Sequence, residues 1–123
     1  IDRTQAAVKE ATGLEPLVLR PTYGSHDQRL RDSAGMPMVL WSIDPRDWDT
    51  KDANAVSKHI LDRVTDGDIV LMHDIYPSTA EAVKIIVPAL IDRGFQLVTV
   101  SELYEAKEVA LEAGSVYRRD IEK

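Results

Sequence analysis

Four short, continuously apolar runs separated by segments of helical periodicity set the limits on this fold. The runs cover residues 17–19, 38–41, 69–72 and 97–100. Alternating runs would suggest strands with one wet face. Unbroken ones read as parallel strands covered on both faces by helices, joined by right-handed crossovers. The predicted class is therefore α/β. A closed eightfold barrel takes about 200 residues or more, and this chain has 123. Four strands then make either a small open sheet or part of a larger barrel.

The intervening segments carry helix signals. A first helix is predicted over 4–11, ended by Gly13, and a short helix or turn over 28–33. Ala53, Val56, Ile60, Leu61 and Val64 recur at helical spacing. Ser78 or Thr79 is expected to cap a helix with an apolar face of Val83, Ile86, Val87 and Leu90. Pro88 lies inside it and predicts a kink or break, because proline cannot donate to the carbonyl of Lys84. Ser101 is expected to cap a last helix reaching Leu111, with a loosely held polar tail after Gly114.

Charge and composition exclude several classes. Lys and Arg number 15 against 21 Asp and Glu, a net −6. An acidic chain without a basic stripe does not bind nucleic acid or an anionic membrane through charge. With no cysteine there is no disulfide scaffold, thiolate metal site or cysteine nucleophile. The longest apolar run, 85–91, contains Pro88 and is far shorter than the roughly 18 residues of a membrane span. No signal peptide or lipid-anchor motif is visible, and the chain opens at Ile1, which reads as a piece of a longer protein.

In parallel α/β folds ligands gather beyond the carboxyl ends of the strands. The first run is followed by Arg20-Pro21-Thr22-Tyr23-Gly24, the second by Asp44-Pro45-Arg46-Asp47-Trp48 and the third by His73-Asp74. His73 is either a general acid or base or a histidine tied to a loop carbonyl. Asp47 is a candidate to face it, since a nearby carboxylate favours the charged imidazole. Asp44 and Asp74 read as turn or cap residues. Trp48 either walls a pocket or covers the core. Arg20 calls for a carboxylate partner, functional or structural. Tyr23-Gly24 is either a close backbone approach to a ligand or a turn. His26 and His59 read as surface residues, and no His/Asp cluster has metal-ligand spacing. Alone, these residues describe a partial acid/base site without its nucleophile.

Taken in order, the Arg20–Gly24, Asp44–Trp48 and Leu71–Asp74 segments resemble the third, fourth and fifth motifs of the polysaccharide deacetylases, the NodB-homology domain or carbohydrate esterase family four. Thr12-Gly13-Leu14-Glu15-Pro16 and Gly94 to Leu103 resemble the family's lead-in and its end. Thr22 departs from the pattern, where the family usually has a second proline. The family's first motif, T-F-D-D-G, and its second, H-[ST]-x-x-H, are not in this chain.

The resemblance implies that residues 1–104 are the C-terminal half of a catalytic domain, part of a distorted (β/α) barrel with parallel strands, and that 105–123 form a C-terminal helix and tail. It implies metal-dependent removal of acetyl groups from N-acetylglucosamine in a cell-wall polysaccharide, foremost peptidoglycan. Chitin or chito-oligosaccharide deacetylase, acetylxylan esterase and an inactive glycan-binding relative are the alternatives. His73 would protonate the leaving amine, and Asp47 would hold it charged. Arg20 would orient a base aspartate upstream, and the Tyr23 N–H would help bind the oxyanion. Trp48 and Leu71 would line the acetyl slot. Zinc or another divalent metal would be held by the missing upstream segment, this chain supplying no ligand. The partners implied are the polysaccharide and the N-terminal half of the same domain, with no nucleic acid and no membrane contact from this segment. The location implied is extracellular or at the cell surface.

Overall fold

The computed structural model describes residues 1–119. In chain order the elements are α1 (Asp2–Thr12), α2 (Gln28–Ala34), β1 (Met38–Val39), α3 (Asp47–Thr50), α4 (Ala53–Arg63), α5 (Pro77–Asp92), α6 (Val100–Ala106) and β2 (Val116–Tyr117). A 3-10 turn covers Thr22–Gly24. The chain divides into two compact units, one of Ile1–Leu40 with Ala110–Tyr117, the other of Trp41–Val109 with Arg118 and Arg119.

The first unit is organised by parallel backbone pairing. Met38 stands opposite Val116 and Val39 opposite Tyr117. On the other edge of β1, Leu19 bridges Met38 in parallel, and Val39 N–H donates to the Leu19 carbonyl at 2.8 Å. Apolar side chains on this ladder leave water: Met38, Val39, Leu40 and Tyr117 are all buried. Asp27 starts α2 by accepting from Leu30 N–H at 2.8 Å, and Gly35 ends it at a φ of 67°. Gly13, at φ 78°, closes α1 as predicted, its N–H donating to the Lys9 carbonyl.

In the second unit α4 and α5 pack face to face. Their apolar stripes join Ile43, so that Val56, Ile60, Ala82, Ile86 and Leu90 form a buried cluster. Asp52 caps α4 by accepting from Ala55 N–H at 3.0 Å. A parallel bridge joins Ile43 to Val70, and Leu71 N–H donates to the Ile43 carbonyl at 3.0 Å. Asp68 ties the turn before this segment. It accepts from the Ser42 hydroxyl at 2.8 Å, and from the N–H and hydroxyl of Thr65 at 2.8 and 3.0 Å.

Mixed helix and strand with parallel pairing is the class predicted, but the strands are shorter than expected. Residues 17–19 and 69–72 make single bridges, at Leu19 and Val70. Residues 97–99 join no ladder among the described residues, and Val100 already opens α6. Apolar character allows a strand, but a ladder needs a partner for its N–H and C=O groups. Leu97 and Val98 remain 49% and 42% exposed.

The helix ends also differ. α6 is capped by Thr99, whose hydroxyl accepts from Glu102 N–H, and it stops at Ala106 instead of reaching Leu111. The tail is not loose as far as it is described, because Val116 and Tyr117 pair with β1; residues 120–123 lie outside the described residues. Of the kink or break expected at Pro88, the break is absent: α5 runs through it as one helix. An interior proline costs about 3 kcal/mol. Burying Ile86 and Leu90 on either side returns about 1.5–3 kcal/mol each, so packing keeps the helix whole. Among the described residues no helix is long and apolar enough to cross a membrane.

Candidate active site

Asp47 is the first residue of α3 and is fully buried. A buried carboxylate requires donors, and this one has three. Oδ2 accepts from the His73 backbone N–H at 2.6 Å and from the Thr79 hydroxyl at 2.7 Å. Oδ1 meets His73 Nδ1 at 2.8 Å. Burial by itself raises the carboxyl pKa. The bonds from the His73 ring, the His73 N–H and the Thr79 hydroxyl outweigh it and hold Asp47 below the ordinary carboxylate range.

The sequence folds this way because two chain reversals meet. Asp44, the turn residue predicted, accepts from Arg46 N–H at 2.9 Å. Arg46 and Lys51 bound the single turn of α3, both with left-handed backbone, at φ 53° and 49°. Such strain costs about 1–3 kcal/mol per residue and persists where contacts over-determine the backbone. Each of these cations lies over an aromatic ring, Arg46 over Trp48 and Lys51 over Tyr76, both at 5.1 Å. Pro77 at the first position of α5 makes Tyr76 the cap. Thr79, expected as a cap, therefore lies inside the first turn and gives its hydroxyl to Asp47.

An ionised carboxylate only accepts, so His73 Nδ1 carries the proton on that side. Nε2 has no partner among the described residues, and the ring is 37% exposed. Nε2 can therefore exchange a proton with a bound molecule while Asp47 fixes the ring.

The other predicted site residues take varied places. Leu71, two residues before His73, is buried. Trp48 is 43% exposed beneath Arg46. In the first unit, Arg20 donates to the Leu40 carbonyl at 3.1 Å. Among the described residues it has no carboxylate partner, and partial burial lowers its pKa. Tyr23 has a left-handed φ of 58° and is 96% exposed. Its N–H donates to no described residue. Thr79 was not among the predicted site residues, since nothing in its spacing from His73 marks it.

Among the described residues no three His, Cys, Asp or Glu side chains converge. Both Asp47 oxygens and His73 Nδ1 are occupied, and His26 Nδ1 is bonded to Arg31 at 2.7 Å. The donor set present does not make a metal site.

No protein-family model matches the chain. It is 39% identical over 115 residues to the peptidoglycan-N-acetylglucosamine deacetylase PgdA of Listeria monocytogenes, matching 94% of this chain and 24% of that protein. It is 37% identical over 108 residues to the peptidoglycan-N-acetylmuramic acid deacetylase PdaC of Bacillus subtilis, 88% of this chain and 23% of that one. The solved family 4 acetyl xylan esterase from Clostridium thermocellum, in complex with a cobalt ion, superposes with a TM-score of 0.90. It is 29% identical, over 97% of this chain and 60% of that one. The chain is a homologue of the family-four polysaccharide deacetylases. It spans about a quarter of the length of these curated relatives. This kinship is the one that the Arg20, Asp47 and His73 motifs point to.

Proposed function

We propose that the protein carrying this chain hydrolyses the acetamide of N-acetylated sugars in peptidoglycan, with N-acetylglucosamine as the sugar. The observation that carries the reading is the bond from His73 Nδ1 to the buried Asp47, in a ring that is 37% exposed and whose Nε2 has no partner among the described residues. In this reading residues 1–104 are the C-terminal half of the catalytic domain, part of a distorted (β/α) barrel, and the N-terminal half is its partner. A divalent metal, zinc or a like ion, belongs to that other half, since the residues here do not form its site.

His73 then acts as general acid. Water adds to the acetamide carbonyl and loses its proton to a base outside this chain. As the C–N bond breaks, Nε2–H passes its proton to the departing nitrogen, leaving acetate and a free amine. The Tyr23 N–H is offered to the carbonyl oxygen as charge develops on it. Arg20 orients the base, and Trp48 and Leu71 line the acetyl slot. The polymer lies outside the cytoplasm, so the enzyme works outside the cell or at its surface.

N-acetylmuramic acid is the second reading, favoured by the likeness to PdaC. Incubating the full-length protein with purified peptidoglycan, digesting it and weighing the fragments decides between them. Loss of acetyl from glucosamine supports the first reading and loss from muramic acid the second. Acetate released only from chitin or acetylxylan, or from nothing, overturns both.

A further inference from the structure

We propose that Thr79 is a positioning residue for the Asp47–His73 pair: its hydroxyl anchors Oδ2 and so commits Oδ1 to the imidazole. The proposal rests on the acid role given to His73 above. Thr79 is 3% exposed, and its Oγ1 lies 2.7 Å from Oδ2 of the fully buried Asp47. A hydroxyl facing an ionised carboxylate can only donate to it. Oδ2 thus holds two donors from different directions, the backbone N–H of His73 and the side chain of Thr79.

Two donors on one oxygen fix the plane of the carboxylate. That matters because rotation about the last bond of an aspartate is broad and only weakly restrained by the chain itself. With the hydroxyl gone, only the two His73 donors remain on the carboxylate, and its plane is held less firmly against Nδ1. The ring would then lose its fixed tautomer, although every reacting atom is still present. α5 supplies the stiffness. Thr79 is the third residue of that helix, and its own N–H donates to the Tyr76 carbonyl at 3.0 Å.

The test compares Thr79→Val, which keeps the shape and removes the donor, with Thr79→Ser, which keeps the donor and removes a methyl. Both are made in the full-length protein. Thr79→Val should lower kcat by up to about 10²-fold, the usual cost of a misplaced reacting group, with KM little changed. Thr79→Ser should restore turnover. By proton NMR, the His73 Nδ1–H signal should be sharp and downfield in the wild type and in Thr79→Ser, and lost or broadened in Thr79→Val. Thr79→Ala replaces Thr79→Val if the latter does not fold. An unchanged Nδ1–H signal in a folded variant lacking the hydroxyl overturns the proposal, as does a wild-type Thr79 hydroxyl proton in free exchange with water. Both hold even if the protein deacetylates nothing. An inactive wild type with an intact Nδ1–H signal that is lost in Thr79→Val refutes the general-acid reading while leaving the positioning role standing.

Discussion

Asp47 grips His73 at two points, taking the backbone N–H on Oδ2 at 2.6 Å and the ring Nδ1 on Oδ1 at 2.8 Å. The first contact fixes where the residue sits and the second fixes how its ring is turned. One buried carboxylate thereby sets both position and tautomer, leaving Nε2 as the working atom.

Replacing His73 with alanine in the full-length protein should lower kcat about 10²–10⁴-fold, the range for a positioned proton donor. Circular dichroism should show the fold retained, because the ring is more than a third exposed. Turnover within a few fold of wild type would place the proton donor elsewhere.

Asp47 links stability to pH. Its folded carboxyl titrates below the unfolded value of about 3.9. Its contribution is therefore complete above that value and is lost as pH falls through the folded one. Between about pH 5 and 2, the free energy of unfolding should fall less steeply in Asp47→Asn than in wild type. Asp47→Asn should also be less stable at pH 7 by about 1–3 kcal/mol, because its three donors lose a charged acceptor. Denaturant titrations along the pH series measure this, and parallel curves would refute it.

Asp68 offers a control away from the proposed chemistry. Burial raises its carboxyl pKa, but the bonds from the Thr65 N–H, the Ser42 hydroxyl and the Thr65 hydroxyl, with the Arg119 charge, bring it below the ordinary range. Asp68→Ala should destabilise by about 1–3 kcal/mol and leave kcat unchanged at temperatures where the protein is folded. A thermal melt together with an acetate-release assay checks both halves of the statement.

The 123-residue chain by itself should bind no stoichiometric zinc at neutral pH. A zinc site takes three or four protein ligands, and no three candidate side chains converge among the described residues. Equilibrium dialysis of the isolated chain is the measurement; one tightly held ion per chain would contradict the assignment of the metal to other residues.

Asp47 and His73 could be paired from sequence because each follows an apolar run, and parallel strands deliver their carboxyl ends to one rim. Thr79 could not. It lies six residues past His73, and only the entry of α5, set by Pro77, aims its hydroxyl at Asp47. Strand extent was equally hidden, since Leu97 and Val98 are as apolar as β1 but join no ladder among the described residues. The break allowed for at Pro88 does not occur, because a local penalty gave way to the packing of Ile86 and Leu90. Arg20 donates to the Leu40 carbonyl among the described residues, a contact that depends on where Leu40 runs and that its place after an apolar run did not foretell.

The pairing of β1 with β2 also orders events in time. Val116 and Tyr117 dock on Met38 and Val39 from the far end of the sequence. During synthesis, β1 leaves the ribosome with this edge unfilled, and it stays so until Val116 and Tyr117 have emerged. The α4–α5 pair has no such wait, because its partners are neighbours in sequence. Contacts between distant parts of a chain form slowly, and an open strand edge is exposed to wrong pairing in the meantime. The first unit is thus the part that a chaperone would protect, and the part that slow translation would leave exposed for longer.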